Sequence, residues 1–224
     1  MPGRNTHNRA GRILDAAANL ITHYGYAKTT VDDIARAAGV AKGAIYLHWP
    51  GKDELLAALL ARELLRMLDD TVARVSADPQ GGTLPRLYIH ALLALRANPV
   101  MCALYTQDSR VLGDFMQRQA PGRYTQRFLF GQTFLEGLQA AGLVRPDLPP
   151  AALAYVLSII AYGFATIETI IPAAEAPPLE QVGEVLAGLM AHGAALEGGD
   201  SAAGQAAMLA LVEAVRRQIS AVSQ

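Results

Sequence analysis

Cation-bearing and hydroxyl-bearing residues crowd the start of this 224-residue chain. All three lysines (Lys28, Lys42, Lys52) and four arginines (Arg4, Arg9, Arg12, Arg36) fall within residues 1–52, against only Asp15, Asp32 and Asp33. The rest of the chain carries twelve basic and seventeen acidic residues, so the formal net charge of −1 conceals a basic head on an acidic body. Ammonium and guanidinium groups at this density suit a polyanionic partner. Other chemistries lack their signatures. His7, His23, His48, His90 and His192 are scattered with no paired metal-ligand spacing, and neither a Gly-rich phosphate loop nor a Gly-x-Ser-x-Gly elbow is present. Cys102, the single cysteine, lies in the apolar run from Pro99 to Tyr105 and reads as a buried structural thiol. No catalytic residue, metal or cofactor is expected from these patterns, although distant residues brought together by folding leave an enzyme as an alternative.

The elements that hold these residues read as all-α. Apolar residues recur at three- and four-residue spacing almost throughout, and no alternating strand pattern persists. The pattern predicts helices over about 9–24, 31–38, 41–48, 53–75, 84–97, 100–117, 124–141, 151–171, 179–196 and 202–222, with Gly and Pro at the joints. The polar start lacks the apolar core of a signal peptide, so a cytoplasmic protein is expected. Leu148 to Ile167 is uncharged and nearly long enough to span a bilayer. Pro149, Pro150, Ser158, Gly163 and Thr166 within it, and Glu168 just beyond, argue instead for a buried or inter-subunit helix.

Residues 31–48 carry the most demanding spacing. Thr30 and Asp33 have the form of a capping box at a helix start. Ile34, Val40 and Ile45 supply a miniature core, Ala35 allows two helices to cross closely, and Gly39 permits the bend between them. This is what a helix-turn-helix requires, with two ordinary packed helices as the plain alternative.

The segment TTVDDIARAAGVAKGAIYLHWPGKDELLAALL resembles the N-terminal domain of the TetR/AcrR regulators over about residues 9–60. The match includes the Thr-Thr pair, the Gly-Val turn and the tail Gly43-Ala44-Ile45-Tyr46-Leu47-His48-Trp49-Pro50-Gly51-Lys52. Two positions depart from the pattern: Gly51 stands where Ser or Asn often starts the fourth helix, and the recognition helix carries small Gly43 and Ala44. The resemblance implies a three-helix DNA-binding domain over residues 1–55 and a helical ligand-binding and dimerisation domain over 56–224. It implies phosphate contacts from Thr30, Tyr46, His48 and Lys52, and base-edge contacts from Lys42, Ala44 and Leu47 in the helix that includes Gly43. A structural role is the other reading for His48 as a helix cap and for Leu47 packed inward, and Trp49 reads as a wedge in the domain core rather than a DNA group. Arg4, Arg9 and Arg12 are either a solvated tail or an electrostatic arm on the DNA backbone.

The partners that follow from the resemblance are double-stranded DNA with a palindromic operator, a second copy of the chain, and a small, largely apolar effector. The helix from about Ala151 to Ile171 and the last helices, through Leu186, Leu189, Met190, Met208, Leu211 and Val215, are the expected dimer surface. Met101, Tyr105, Tyr124, Phe128, Phe134 and Tyr162 are the candidate effector lining. The function implied is a repressor released from DNA by its ligand, and a helical protein–protein adaptor is the other alternative.

Overall fold

The computed structural model describes residues 3–118, 131–172 and 174–222, with side chains described from Arg9 to Ala221. Among the described residues the elements are helical, and an isolated antiparallel bridge joins Val144 to Ala195. In chain order they are α1 (Gly3–Tyr24), α2 (Val31–Ala38), α3 (Lys42–Tyr46), α4 (Lys52–Ala77), α5 (Leu84–Ala97), α6 (Pro99–Thr106), α7 (Ser109–Leu112), α8 (Phe115–Arg118), α9 (Gln132–Ala140), α10 (Pro150–Thr166), α11 (Leu179–Gly193) and α12 (Ser201–Val222).

Most boundaries follow from local chemistry that the sequence displays. Helix α2 starts at the expected capping box: the Asp33 amide donates to Thr30 Oγ1 at 3.1 Å, and the Thr30 amide donates to Asp33 Oδ2 at 3.1 Å. Two departures stand out. Helix α1 begins six residues earlier than the periodicity predicts, at Gly3 rather than Arg9, so the N-terminal segment is helical and not an extended arm. The single helix expected over 100–117 is three short ones. Gln107 takes a left-handed conformation (φ 52°), and Asp108 then caps α7 by accepting from the Arg110 amide at 2.9 Å.

The chain divides into two compact units. The first comprises residues Met1–Leu64 with Pro99–Pro121, and the second Leu65–Asn98 with Gly122–Gln224. Helix α4 keeps its buried Leu55, Leu56, Leu59 and Leu60 in the first core, which α6 to α8 complete with Leu104, Leu112 and Phe115.

In the second unit the core forms around Leu84, Leu87, Tyr88 and Leu95 of α5, with Leu157 of α10 and Leu135 and Leu138 of α9. The Tyr88 hydroxyl donates to the Leu157 carbonyl, which satisfies the one polar atom of a fully buried ring. Met190 of α11 and Met208 and Val212 of α12 are also buried here. Met190 and Met208 were expected on a dimer surface, but helical phase turns them inward while Leu189 points out at 68% exposure.

Helix α10 departs most from ordinary burial. Pro150–Thr169 is long and apolar enough to cross a membrane, yet 11% of its most apolar stretch is buried within the chain. Tyr155, Val156, Ile159 and Tyr162 are all exposed along it.

The loop before α5 is organised by Asp78. Its Oδ2 accepts from Arg86 Nε at 2.6 Å and lies 2.9 Å from His90 Nε2, while Oδ1 accepts from the Gln80 amide at 2.9 Å. Burial pushes this carboxyl up, but the donors from Arg86, His90 and Gln80 together hold it below the usual carboxylate range. A depressed folded-state value means stabilisation that is complete above the unfolded value of about 4 and is lost as pH falls through the folded value. Asp78→Asn is therefore expected to lower stability by about 1–3 kcal/mol at pH 7 and to shrink the loss of stability between roughly pH 5 and pH 2. Urea unfolding at a series of pH values checks both.

Candidate nucleic-acid interface

Helices α2 and α3 are built as a helix-turn-helix from very few buried groups. Ile34 and Ala35 of α2 and Ile45 of α3 are at most 5% exposed, and they are what the two short helices share. Gly39 closes α2 in the left-handed conformation (φ 64°), where its amide donates to the carbonyls of Ala35 and Arg36. Only glycine adopts this geometry without steric cost.

With Ile45 turned inward, α3 presents the rest of its surface to solvent. Lys42 and Gly43 are exposed, Tyr46 is 47% exposed and Leu47 is 82% exposed, whereas Ala44 is half-buried. Leu47 therefore does not pack inward. Lys42 Nζ is held 2.8 Å from Asp32 Oδ2, and this hydrogen bond and charge raise its already high pKa. The pair is solvent-exposed, so water or phosphate can replace the carboxylate at little cost. Thr30 is exposed, but its hydroxyl is engaged with Asp33 as the α2 cap. The His48 ring lies against Trp49 at 5.3 Å between centroids, and both are half-buried. Arg12 is exposed on α1 and Arg9 half-buried, while the Arg4 side chain lies outside the described ones.

Lys52 also makes contacts within the chain. Its Nζ donates to the carbonyls of Tyr26 (2.8 Å) and Thr29 (2.9 Å) and sits 4.0 Å over the Tyr26 ring. Burial lowers its pKa, and the neighbouring Asp53 opposes that shift. The ammonium thus fastens the start of α4 to the connection that leads into α2.

A cluster invisible in the sequence surrounds this fastening. The Tyr26 hydroxyl donates to Asp53, and Arg118 reaches the same carboxylate with Nη2 at 3.0 Å. Arg118 also pairs with Asp114. The hydrogen bond from Tyr26, with help from Arg118, holds the Asp53 carboxyl below its ordinary range. Burial, together with the Asp53 carboxylate, drives the Tyr26 phenol well above its usual value. Tyr26 packs on Phe115 at 5.8 Å, and its amide donates to the Val111 carbonyl at 2.8 Å. Arg118 is 65 residues from Asp53, and no periodicity connects them. Gly25 makes the approach possible: at φ 85°, a Cβ there would fall 2.4 Å from the Arg110 carbonyl oxygen.

The four candidate effector residues that are described are divided between the two units. Met101 (1% exposed) and Tyr105 belong to α6 in the first unit. Phe134 on α9 and Tyr162 on α10 belong to the second, where Tyr162 is 51% exposed. Tyr124 and Phe128 lie outside the described residues. A cavity of about 580 Å³ in the second unit is lined by none of the four that are described.

Fold and exposed face together define a helix-turn-helix in the first unit of a two-unit helical chain. Residues 13–59 match the family model for bacterial regulatory proteins of the tetR family. The chain is 50% identical over 50 residues to the transcriptional regulator SrpR of Pseudomonas putida, covering 22% of this chain and 24% of that protein. It is 32% identical over 120 residues to the transcriptional repressor KstR2 of Rhodococcus jostii, covering 50% and 56%. Such matches span about a quarter to a half of the relatives' length. A TetR-family regulator structure from Marinobacter aquaeolei superposes with a TM-score of 0.60 at 16% identity, covering 88% of this chain and 100% of that one. Residues 13–59 are thus similar to the N-terminal domain of tetR-family regulators, and the rest of the chain shares their fold.

Lys52→Met removes the donor to two carbonyls. It is expected to lower the protein's stability by about 1–3 kcal/mol in the absence of any DNA, by chemical denaturation. A lysine that only contacted phosphate would leave that stability unchanged.

Proposed function

We propose that this chain is a sequence-specific transcriptional repressor that binds a palindromic operator as a two-fold homodimer in the cytoplasm and is released by a small ligand. DNA falls to residues 1–55 on this reading, and ligand binding and dimerisation to 56–224. The observation that carries it is the exposed face of α3, where Lys42, Tyr46 and Leu47 stand out from a helix anchored by Ile45. Lysine donates to guanine O6 and N7, a tyrosine hydroxyl holds a phosphate oxygen, and an exposed leucine suits a thymine methyl. With Gly43 and Ala44 small, DNA shape supplies part of the specificity. The named relatives are transcriptional regulators, which favours this reading over an adaptor or an enzyme.

Two copies are required because one helix-turn-helix reads too few base pairs, with half-sites about 34–36 Å apart. The exposed apolar side chains of α10 and α11 supply the surface, notably Tyr155, Ile159, Val185 and Leu189. Between these helices runs an apolar groove lined by Ile160, Gly163, Phe164 and Ile167 on one side and Val185 and Leu189 on the other. A second copy covering it forms a four-helix bundle, which also accounts for the membrane-like apolarity of α10 without a membrane.

Selection from random duplex DNA is expected to enrich a palindrome that the protein binds about a thousandfold or more tighter than random sequence. Failure of a folded dimer to enrich any sequence overturns the reading. On the enriched operator, Lys42→Ala is expected to cost roughly tenfold or more and to relax the preference at one base pair per half-site, whereas Tyr46→Phe weakens all sequences about equally. Leu189→Asp places a charge in the apolar groove; sedimentation is expected to show a monomer with unchanged helix content, and operator affinity is expected to fall with it.

A further inference from the structure

The cavity of the second unit has a polarity suited to one chemical class of molecule. It has a volume of about 580 Å³, within the range of small-molecule sites. Its apolar wall comes from Ile89, Leu92 and Leu93 of α5, Phe164 of α10, and Val182 and Leu186 of α11. Its polar wall contains Arg74, Arg86 and Arg96 together with Glu180 and Glu184.

Depth separates the two signs of charge. The side chains of Arg86, Arg96 and Arg74 are 29%, 35% and 36% exposed, whereas Glu184 is 72% exposed and Glu180 stands on the exterior. Arg86 is neutralised by Asp78 and Glu184. Arg74 gives only Nε to Asp70, at 3.0 Å, and Arg96 gives Nη2 to Glu168, a half-exposed carboxylate. Both guanidiniums therefore retain donors for an anion inside the cavity. A second observation comes from the same wall. His90 turns Nε2 to Asp78, and its Nδ1 is the buried side-chain atom without a hydrogen-bond partner among the described residues. Unsatisfied buried polar atoms cost free energy and are retained where a site is incomplete.

We propose that this cavity binds an amphiphilic carboxylate, its headgroup on Arg74 and Arg96 and its apolar body along α5 and α11. This deepens the ligand-released reading above and moves the effector site away from the aromatic residues that the sequence suggested. It also has a physical route to the dimer, because Phe164, Val182 and Leu186 line both this cavity and the apolar groove between α10 and α11.

The test is calorimetric titration of the full chain with decanoate, beside decanol and decylamine as neutral and cationic probes of equal length. Decanoate is expected to bind, with decanol weaker by about tenfold or more. The variant R74Q/R96Q is expected to lose about tenfold or more of the decanoate affinity while leaving decanol unchanged. Leu93→Trp, which fills the cavity from a half-buried position, is expected to abolish binding of both, with circular dichroism showing the fold intact. Equal binding of decanol and decanoate, tighter binding of decylamine, no binding of decanoate at millimolar concentration, or indifference to R74Q/R96Q each overturns the proposal. Operator release is measured separately by fluorescence anisotropy. Binding without release upholds the cavity and overturns only the ligand-released reading.

Discussion

The first unit depends on one ammonium group. Lys52 begins α4, and its Nζ grips the carbonyls that end the α1–α2 connection, at Tyr26 and Thr29. Everything that presents α3 hangs from this point. Thr30, the next residue, caps α2, and Ile45 is the buried residue of α3. Five residues cannot form a stable helix by propensity, so the position of α3 is imposed by its neighbours. A lysine is suited to this task because its compact charge can satisfy two carbonyls at once and still lie over an aromatic face.

Around that ammonium the charges alternate in a way that explains the neighbouring groups. Asp53 sits beside Lys52 in sequence, accepts from the Tyr26 hydroxyl, and receives Arg118 from α8. Asp53 offsets the desolvation of the half-buried Lys52 and accepts from the buried Tyr26 hydroxyl, while the exposed Arg118 closes the cluster from the solvent side. Its consequence is architectural. Residues 99–121 join the first unit because Arg118, Phe115 and the backbone at Arg110 and Val111 meet Tyr26 and Gly25.

The second unit shows the opposite balance. Its core is ordinary and apolar around Leu84, Tyr88 and Leu157, but α10 and α11 leave large apolar side chains in solvent. A chain with 52% hydrophobic and 17% charged residues has little polar surface to cover itself, and the shortage is concentrated on these two helices. The cavity beside them differs by carrying arginines in its wall, which gives one unit two surfaces of different chemistry, one apolar and one lined by guanidinium groups.

Much of this protein was legible in the residues. The all-helical class, the bounds of α2 and α5, the Thr30–Asp33 capping box and the turn at Gly39 follow from spacing and backbone preference, interactions that close within a few residues. The family of the N-terminal domain was legible for the same reason, since its motif is contiguous. Direction and distance were not. Nothing local to Lys52 reveals that the carbonyls of Tyr26 and Thr29 lie beneath it. Met190 and Met208 share a helical pattern with Leu189, and only packing decided which of them turned inward. The Asp53–Arg118 pair and the arginine-walled cavity join residues far apart in the chain. Such contacts are chosen by how helices pack, a long-range property that no window of sequence contains.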